Sequence, residues 1–451
     1  MAVLFLGGDF LELNNKLSNI NNYPFHMPGH KRNQKFGICS SEIDITEIDG
    51  FDNLHNPKNM LLELEKRYAN EYHSKKSFLS VNGSTCCILA AISAICKPND
   101  KIIIARNCHK SVYNACFINR LQVEYIMPSI DDDFNCFNAI TQYDIDTAIK
   151  KNPNAKAIVI TSPTYEGIIS NIVSPIPLII DAAHGAHFGF NKNFPSYPKA
   201  DIVISSLHKT LPALTQTAII NVYNNKYTTS VKKYMDIYES SSPSYVLLNS
   251  IDICCDYLNN SKSDFDDLFN YCNELITKIK NNLSTIQILK NDDISRLCIK
   301  STKLNGNVLA DELRYNHNIE VEMSCTEYII LILTVGDDKE AYSLLYTALE
   351  KIDCKYRDSN NYNYKKIVYP QLPKKNYEVY EISKTKISNL NDSINCICGE
   401  YIFAYPPGIP IIVPGEIITQ DLVDFIDYSI KANTNIISEN GILNHKILTK
   451  C

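Results

Sequence analysis

The sequence predicts an α/β protein with a mostly parallel sheet in a large domain, followed by a smaller α+β domain at the carboxyl end. The first observation behind this is a series of short, β-branched runs: KIIIA (Lys101–Ala105), VEYIM (Val123–Met127), AIVIT (Ala157–Thr161), LIID (Leu178–Asp181), IVIS (Ile202–Ser205) and AIINV (Ala218–Val222). None alternates apolar with polar residues, which is how strands buried on both faces read. The second is a change of grain beyond Leu283. There TIQIL, RLCIK, IEVEMS and YIILILTV alternate with the helical stretches Val308–Tyr315 and Lys339–Ile352, the pattern of a small mixed domain. The expected divisions are an N-terminal segment of active-site loops (1–55), a large domain (56–285) and a small domain (286–451).

Along the chain, PFHMPGHKRN (Pro24–Asn33) and DITEIDGFDNLHNP (Asp44–Pro57) hold too many proline and glycine breaks for long helices and read as loops rich in His, Asp and Glu. MLLELEKRYANEY, from Met60, reads as an amphipathic helix leading to a first core strand, Ser77–Val81. NGSTCCILAAISAIC (Asn82–Cys96) follows as a glycine turn, two hydroxyls and an apolar helix. Gly83, Ser84 and Thr85 at that helix start form either a phosphate cup or a plain N-cap. RNCHKS (Arg106–Ser111) and TSPTYEG (Thr161–Gly167) lie just past strands and carry His109 and Tyr165. After ESSSPSY (Glu239–Tyr245) one long helical tract is expected to Leu283, and YPPGIPIIVPGE (Tyr405–Glu416) is expected to be a rigid loop, being too rich in proline for helix or central strand.

The 451 residues, 45% apolar and 21% charged, are ordinary for a globular protein of two domains. A net charge of −6 without a basic block argues against a nucleic-acid partner. No apolar stretch is long enough to span a membrane, and the first residues lack the basic flank and cleavage site of a signal peptide, so a cytoplasmic location is expected. The sixteen cysteines, including Cys86 with Cys87, Cys254 with Cys255, and Cys396 near Cys398, are scattered through apparent strands and helices. They read as reduced, buried thiols; none has zinc spacing, and no metal site is expected.

Lys209 is the residue that stands out. It follows the strand IVIS in SSLHKT, where an open α/β sheet places its ligand. A lysine amine forms Schiff bases with carbonyls, provided its pKa falls from about 10.4. Twenty-eight residues upstream, Asp181 ends the strand LIID in the same way. A lysine and a carboxylate at two strand ends suit pyridoxal phosphate (PLP), whose protonated ring nitrogen needs an anion beside it. His109, also at a strand end, offers a flat ring to stack on a flat cofactor, or else caps its loop.

With these residues in place the chain resembles the Orn/Lys/Arg decarboxylase family of fold-type I (aspartate aminotransferase-like) PLP enzymes, in the short form found in Gram-positive bacteria. The resemblance covers Pro24 to Glu416 through PFHMPGHK, DITEIDGFDNLHNP, VNGST, RNCHKS, SPTYEG, DAAHGAHFG, SSLHKTLPALTQ, SSSPSY and YPPGIPIIVPGE. It implies that Lys209 carries the cofactor as a Schiff base, that Asp181 partners the pyridine nitrogen and that His109 stacks on the ring. Ser84, Thr85, Ser206 and His208 would hold the phosphate, joined by Ser241 or Ser242 from a neighbouring subunit. A homodimer or higher homo-oligomer is implied, without the N-terminal wing domain of long members. Lys209 or His208 would protonate Cα.

A basic amino acid as substrate needs acids around its distal cation, and Glu416, Glu47, Asp44 and Asp49 are the candidates. Sequence alone does not choose among arginine, lysine and ornithine. Cys86, Cys87 and Ile88 stand where the family more commonly has small residues and asparagine, and Asp49 and Asn53 replace its usual proline and aspartate. Two other readings stay open: an aminotransferase or other lyase of the same fold, and a catalytically altered paralogue. The carboxyl-terminal loop motif contains no arginine of the kind a transaminase uses for a substrate carboxylate, which favours decarboxylation.

Overall fold

The computed structural model describes residues 12–20, 27–28, 31–32, 35, 37–363, 369–404, 408–431, 436–439, 441–443 and 445–451. Most of PFHMPGHKRN and the 405–407 start of the proline-rich loop lie outside the described residues. From the amino end the elements are α1 (Glu12–Ser18), α2 (Met60–Glu71), β1 (Lys76–Ser80), α3 (Gly83–Ile95), β2 (Lys101–Ala105), α4 (Lys110–Ile118), β3 (Gln122–Ile126), α5 (Gln142–Lys151), β4 (Ala157–Thr161), β5 (Leu178–Asp181), β6 (Ile202–Ser206), β7 (Ala218–Val222), α6 (Thr228–Tyr238), α7 (Tyr245–Asn260) and α8 (Lys262–Asn282). There follow β8 (Ile286–Ile288), β9 (Arg296–Ser301), α9 (Gly306–Asp311), β10 (Met323–Ser324), β11 (Ile329–Ile332), α10 (Lys339–Tyr356), β12 (Thr385–Asn389), β13 (Ile402–Ala404), β14 (Ile409–Ile412), α11 (Gln420–Lys431), β15 (Ile436–Ser438), β16 (Gly441–Ile442) and β17 (Lys446–Lys450).

The chain divides into two units, each drawn from two stretches of sequence: Met1–Ala94 with Ala182–Asp266, and Ile95–Asp181 with Asp267–Cys451. In the first unit β7 lies between β1 and β6 and is antiparallel to both, with Ser80 and Ser206 each opposite Ala218. Helix α2 starts where it does because the buried Asp52 carboxylate accepts the backbone N–H groups of Lys58, Asn59 and Leu61, taking up donors a helix start leaves free. Its apolar stripe, Leu61, Leu64 and Tyr68, is fully buried. Helix α3 is lined with Cys87, Ala90, Ala91 and Ile92, small enough to pack closely.

In the second unit β3, β2, β4 and β5 run parallel in that order, with Ile103 beside Ile158 and Thr161 beside Asp181. Their middle residues, such as Ile102–Ile104 and Ile158–Ile160, are 0% exposed, the double burial that the unbroken apolar runs imply. Because the strands are parallel, Ala105, Thr161 and Asp181 finish at one common edge. The rest of the unit is the α+β part: a sheet β10-β11-β9-β8, a second sheet β14-β13-β15-β16 and the pair β12-β17.

Two expectations change. The tract after Tyr245 is two helices, because the Asn259 and Asn260 side chains bond back to the carbonyls of Cys255 and Asp256 and the backbone leaves helical geometry at Ser261. The proline-rich motif is not loop throughout: Ile409–Ile412 is strand β14, paired antiparallel with β13. It tolerates Pro410 because it is an edge strand, whose outer side has no partner strand among the described residues.

The SPTYEG loop after β4 is pinned through Gly167. The backbone N–H groups of Asp292 and Asp293 donate to its carbonyl at 3.1 and 3.0 Å, and Asn291 Nδ2 donates to the Glu166 carbonyl at 2.7 Å. Gly167 has φ +86°, and a Cβ there would stand 2.9 Å from both Arg296 Cβ and Asn291 Nδ2. Gly167→Ala is therefore expected to destabilise the protein by about 1–3 kcal/mol, seen as a lower urea midpoint with an unchanged slope; an unaltered midpoint would contradict this packing.

Candidate active site

In the first unit, strand β6 ends at Ser206 and the chain turns through one short 3-10 turn, Leu207–Lys209. Ser206 Oγ donates to Ser84 Oγ at 3.0 Å, which joins the end of β6 to the first turn of α3. Gly83 opens that helix with φ +76°, and Thr85 on the same turn is exposed. Two hydroxyls and the free N–H groups of a helix of 13 residues thus share one corner. Lys209 Nζ lies 2.9 Å from Nε2 of His184, a residue only 7% exposed. His184 belongs to DAAHGAHFG, and sequence reasoning gave it no role; the available signal was its position three residues after Asp181.

His208 bonds through Nδ1 to the Thr217 carbonyl at 2.9 Å. A carbonyl only accepts, so Nδ1 carries the proton and Nε2 keeps its lone pair. Burial, reinforced by the charge of Lys209 and opposed by the Thr217 bond, holds the His208 pKa below its ordinary value, so the ring is neutral at pH 7. The adjacent Thr210 hydroxyl is buried with no hydrogen-bond partner among the described residues. Ser241 and Ser242 are exposed, in a turn where the Ser242 N–H donates to Ser240 Oγ at 3.3 Å. Cys86 and Cys87 are packed away as neutral thiols: burial, aided by the Glu239 carboxylate, raises both pKa values, and Cys86 Sγ lies 3.7 Å from Glu239 Oε2.

In the second unit, Asp181 ends β5 and is 3% exposed. His109 is the N-cap of α4: its Nδ1 accepts the Ser111 N–H at 3.2 Å and meets Ser111 Oγ at 2.8 Å. The capping alternative is therefore realised, and it fixes the ring while leaving it partly exposed. Thr161 Oγ1 and Asn107 Oδ1, at the ends of β4 and β2, are buried polar atoms without a hydrogen-bond partner among the described residues.

Glu416, one of the acids expected near the substrate cation, is engaged within the protein. Its two oxygens accept from Arg106 Nη1 and Nη2 at 2.8 and 2.9 Å, and one also accepts the Val413 N–H at 3.0 Å. Arg106 also donates to the Ile411 carbonyl at 3.0 Å, its guanidinium 4.9 Å from the centroid of the Tyr125 ring. Glu416 is 0% exposed, so a carboxylate placed among the substrate acids is instead spent on a buried arginine. Burial alone would lower the Arg106 pKa, but Glu416 holds it above its ordinary value; on the other side of the pair, burial pushes the Glu416 carboxyl above its ordinary value, opposed by Arg106. Of the other acids, Asp44 is partly buried, Asp49 is exposed, and Glu47 has one buried oxygen without a hydrogen-bond partner among the described residues.

The model of the Orn/Lys/Arg decarboxylase major domain matches residues 10–304, and that of the C-terminal domain matches residues 359–437. The chain belongs to the Orn/Lys/Arg decarboxylase family. It is thus an amino-acid decarboxylase by family, with the fold-type I α/β architecture and a smaller α+β part. It is similar to an arginine decarboxylase of Bacillus subtilis, 29% identical over 438 residues that cover 89% of each chain. Among solved structures it resembles the constitutive lysine decarboxylase of Escherichia coli (TM-score 0.80, 16% identity, 97% of this chain and 81% of that one). It also resembles SPT with PLP (TM-score 0.52, 12% identity, 66% of this chain and 77% of that one).

The residues of this family member suit PLP by their chemistry: an amine at Lys209, paired hydroxyls at a helix start for a phosphate, and a buried strand-end carboxylate at Asp181 for a protonated ring nitrogen. The Arg106–Glu416 pair has a structural consequence of its own. Glu416→Ala should cost about 3–5 kcal/mol, because it strands a buried guanidinium; the check is the urea midpoint measured without substrate, and a loss confined to KM would restore Glu416 to the substrate site.

Proposed function

We propose that this chain decarboxylates a basic L-amino acid, arginine, lysine or ornithine, to the corresponding amine and carbon dioxide, with PLP held by Lys209. The observation that carries the reading is Lys209 Nζ placed 2.9 Å from His184 Nε2, three residues beyond the Ser206–Ser84 hydroxyl pair at the start of α3. Bound PLP supplies a conjugated ring that accepts the electron pair left when carbon dioxide departs. The chain's residues do the rest.

Lys209 is the covalent anchor, and its amine must lose a proton before its lone pair is free. His184 Nε2 stands at hydrogen-bond distance to accept it. Ser84, Thr85 and Ser206 hold the phosphate with the N–H groups of α3. His208 keeps a lone pair on Nε2, so it joins them only when protonated, a state that a nearby anion promotes. Lys209, whose amine lies beside His184, is the donor that returns a proton to Cα. Asp181 accepts from the ring nitrogen and, being buried, does so with little screening by water. His109, its orientation fixed by Ser111, stacks on the ring.

The proposal extends to assembly and place: a cytoplasmic homodimer whose second copy brings Ser242 or Ser241 to the phosphate, with residues 56–285 carrying the cofactor and 286–451 forming the small domain. Among the described residues no helix is long and apolar enough to cross a membrane. With Glu416 engaged by Arg106, the acids left for a distal cation are Glu47, Asp49 and Asp44. Arginine is ranked first, supported by the name of the Bacillus relative at 29% identity.

Lys209→Ala should fold normally but lose both the borohydride-reducible chromophore and turnover; retained turnover would remove Lys209 from the site. Asp181→Asn should keep its cofactor while turnover falls by about a hundredfold or more. Holoenzyme incubated separately with arginine, lysine and ornithine should release agmatine from arginine. Cadaverine or putrescine in its place would change the substrate ranking alone, whereas a keto acid without any amine would replace decarboxylation by transamination.

A further inference from the structure

The loop DNLHNP and the loop ESSSPSY, 185 residues apart, meet through His55. Its Nε2 lies 2.7 Å from the Ser240 carbonyl oxygen and its Nδ1 lies 3.1 Å from Asp236 Oδ1. A carbonyl oxygen can only accept. Asp236 Oδ1 also accepts from Lys232 Nζ, so it too faces the ring as an acceptor. Both ring nitrogens therefore face acceptors, and only the doubly protonated imidazolium satisfies both.

The backbone on either side is tied down by the same group of residues. His55 N–H donates to Asn53 Oδ1 at 2.7 Å, and Lys232 Nζ donates to the His55 carbonyl at 2.6 Å. Beyond His55, Ser240 organises its own turn: its Oγ donates to the Ser242 carbonyl at 3.2 Å and accepts the Ser242 N–H at 3.3 Å. The charged groups around the imidazole are Asp236 and Lys232 on α6, Glu65 on α2 and Glu239 just after α6, with Lys76 of β1 paired to Glu65.

We propose that His55 is a positioning residue, held as an imidazolium between Asp236 and the Ser240 carbonyl, and that it fixes the Ser240–Ser242 turn in place. Its link to catalysis rests on the reading above, in which that turn contributes a hydroxyl to the phosphate.

The test uses full-length, cofactor-loaded protein with 15N-labelled histidine, the His55 signals being those lost in His55→Gln. Both His55 ring nitrogens should be protonated at pH 6. A neutral ring in the parent protein at pH 6 overturns the proposal. Amide hydrogen exchange over residues 239–242 should be roughly tenfold faster in His55→Gln, as expected for losing a charged hydrogen bond, with Asp236→Asn shifting the same way and Glu65→Gln leaving it unchanged. Equal exchange in His55→Gln and the parent overturns the positioning role.

Neither readout depends on turnover or on bound cofactor, so both stand even if Lys209 proves not to be the anchor. PLP should also dissociate about tenfold faster from His55→Gln. A loosened turn with unchanged dissociation overturns the link between this turn and the phosphate while leaving the assignment at Lys209 untouched.

Discussion

A strand buried on both faces has no side chain to spare for chemistry, and this constraint shapes the whole arrangement. Every residue of β6 and β7 is fully buried, and so are the middle residues of β2 and β4. Polar function is therefore confined to the strand ends and the turns just past them, where the backbone leaves the sheet. In the second unit Arg106, His109 and Asp181 lie at such ends; in the first, Ser206, His208 and Lys209 do. The apolar runs place the chemistry by excluding it from everywhere else.

Short polar clamps then hold the groups at these ends, and each clamp spends a group that looks functional in the sequence. Asp52 is an acid in a loop crowded with acids, yet it serves as the cap of α2. Glu416 neutralises Arg106. His109 caps α4 with one nitrogen and so holds its ring at a fixed angle. Leaving any of these buried partners unpaired would cost more than a well-made bond contributes, which is why polar atoms in such places come in matched sets.

This explains what could be read from the sequence and what could not. The parallel strands were legible because double burial leaves a one-dimensional trace, an unbroken apolar run such as AIVIT ended by a turn. Lys209 and Asp181 stand out in the sequence because a charged residue at the end of such a run is out of place, and the roles proposed for them rest on that. The break between α7 and α8 was not, since it depends on Asn259 and Asn260 folding back onto nearby carbonyls in a stretch whose composition is otherwise helical. Strand β14 was hidden because a proline argues against a central strand but not against an edge. Arg106 and Glu416 are 310 residues apart, and His184 and Lys209 are 25 apart; no local pattern connects the members of either pair.

Charge at the proposed site follows from the same partnerships. His208 is neutral because burial outweighs its bond to Thr217, and Cys86 and Cys87 are neutral because burial raises thiol pKa values. With Glu416 matched to Arg106, neither contributes a bare charge. What remains is a lysine amine beside an imidazole acceptor, hydroxyls at a helix start, and a strand-end carboxylate. In the proposed reading these are the groups that an anionic, electron-accepting cofactor requires. In the proposed reading the distal substrate cation is met by the loop that carries Glu47 and Asp49, where Glu47 holds a buried oxygen without a hydrogen-bond partner among the described residues. An acceptor buried in that way is costly to maintain in a folded chain unless something donates to it, and a substrate ammonium or guanidinium is a donor of the right charge.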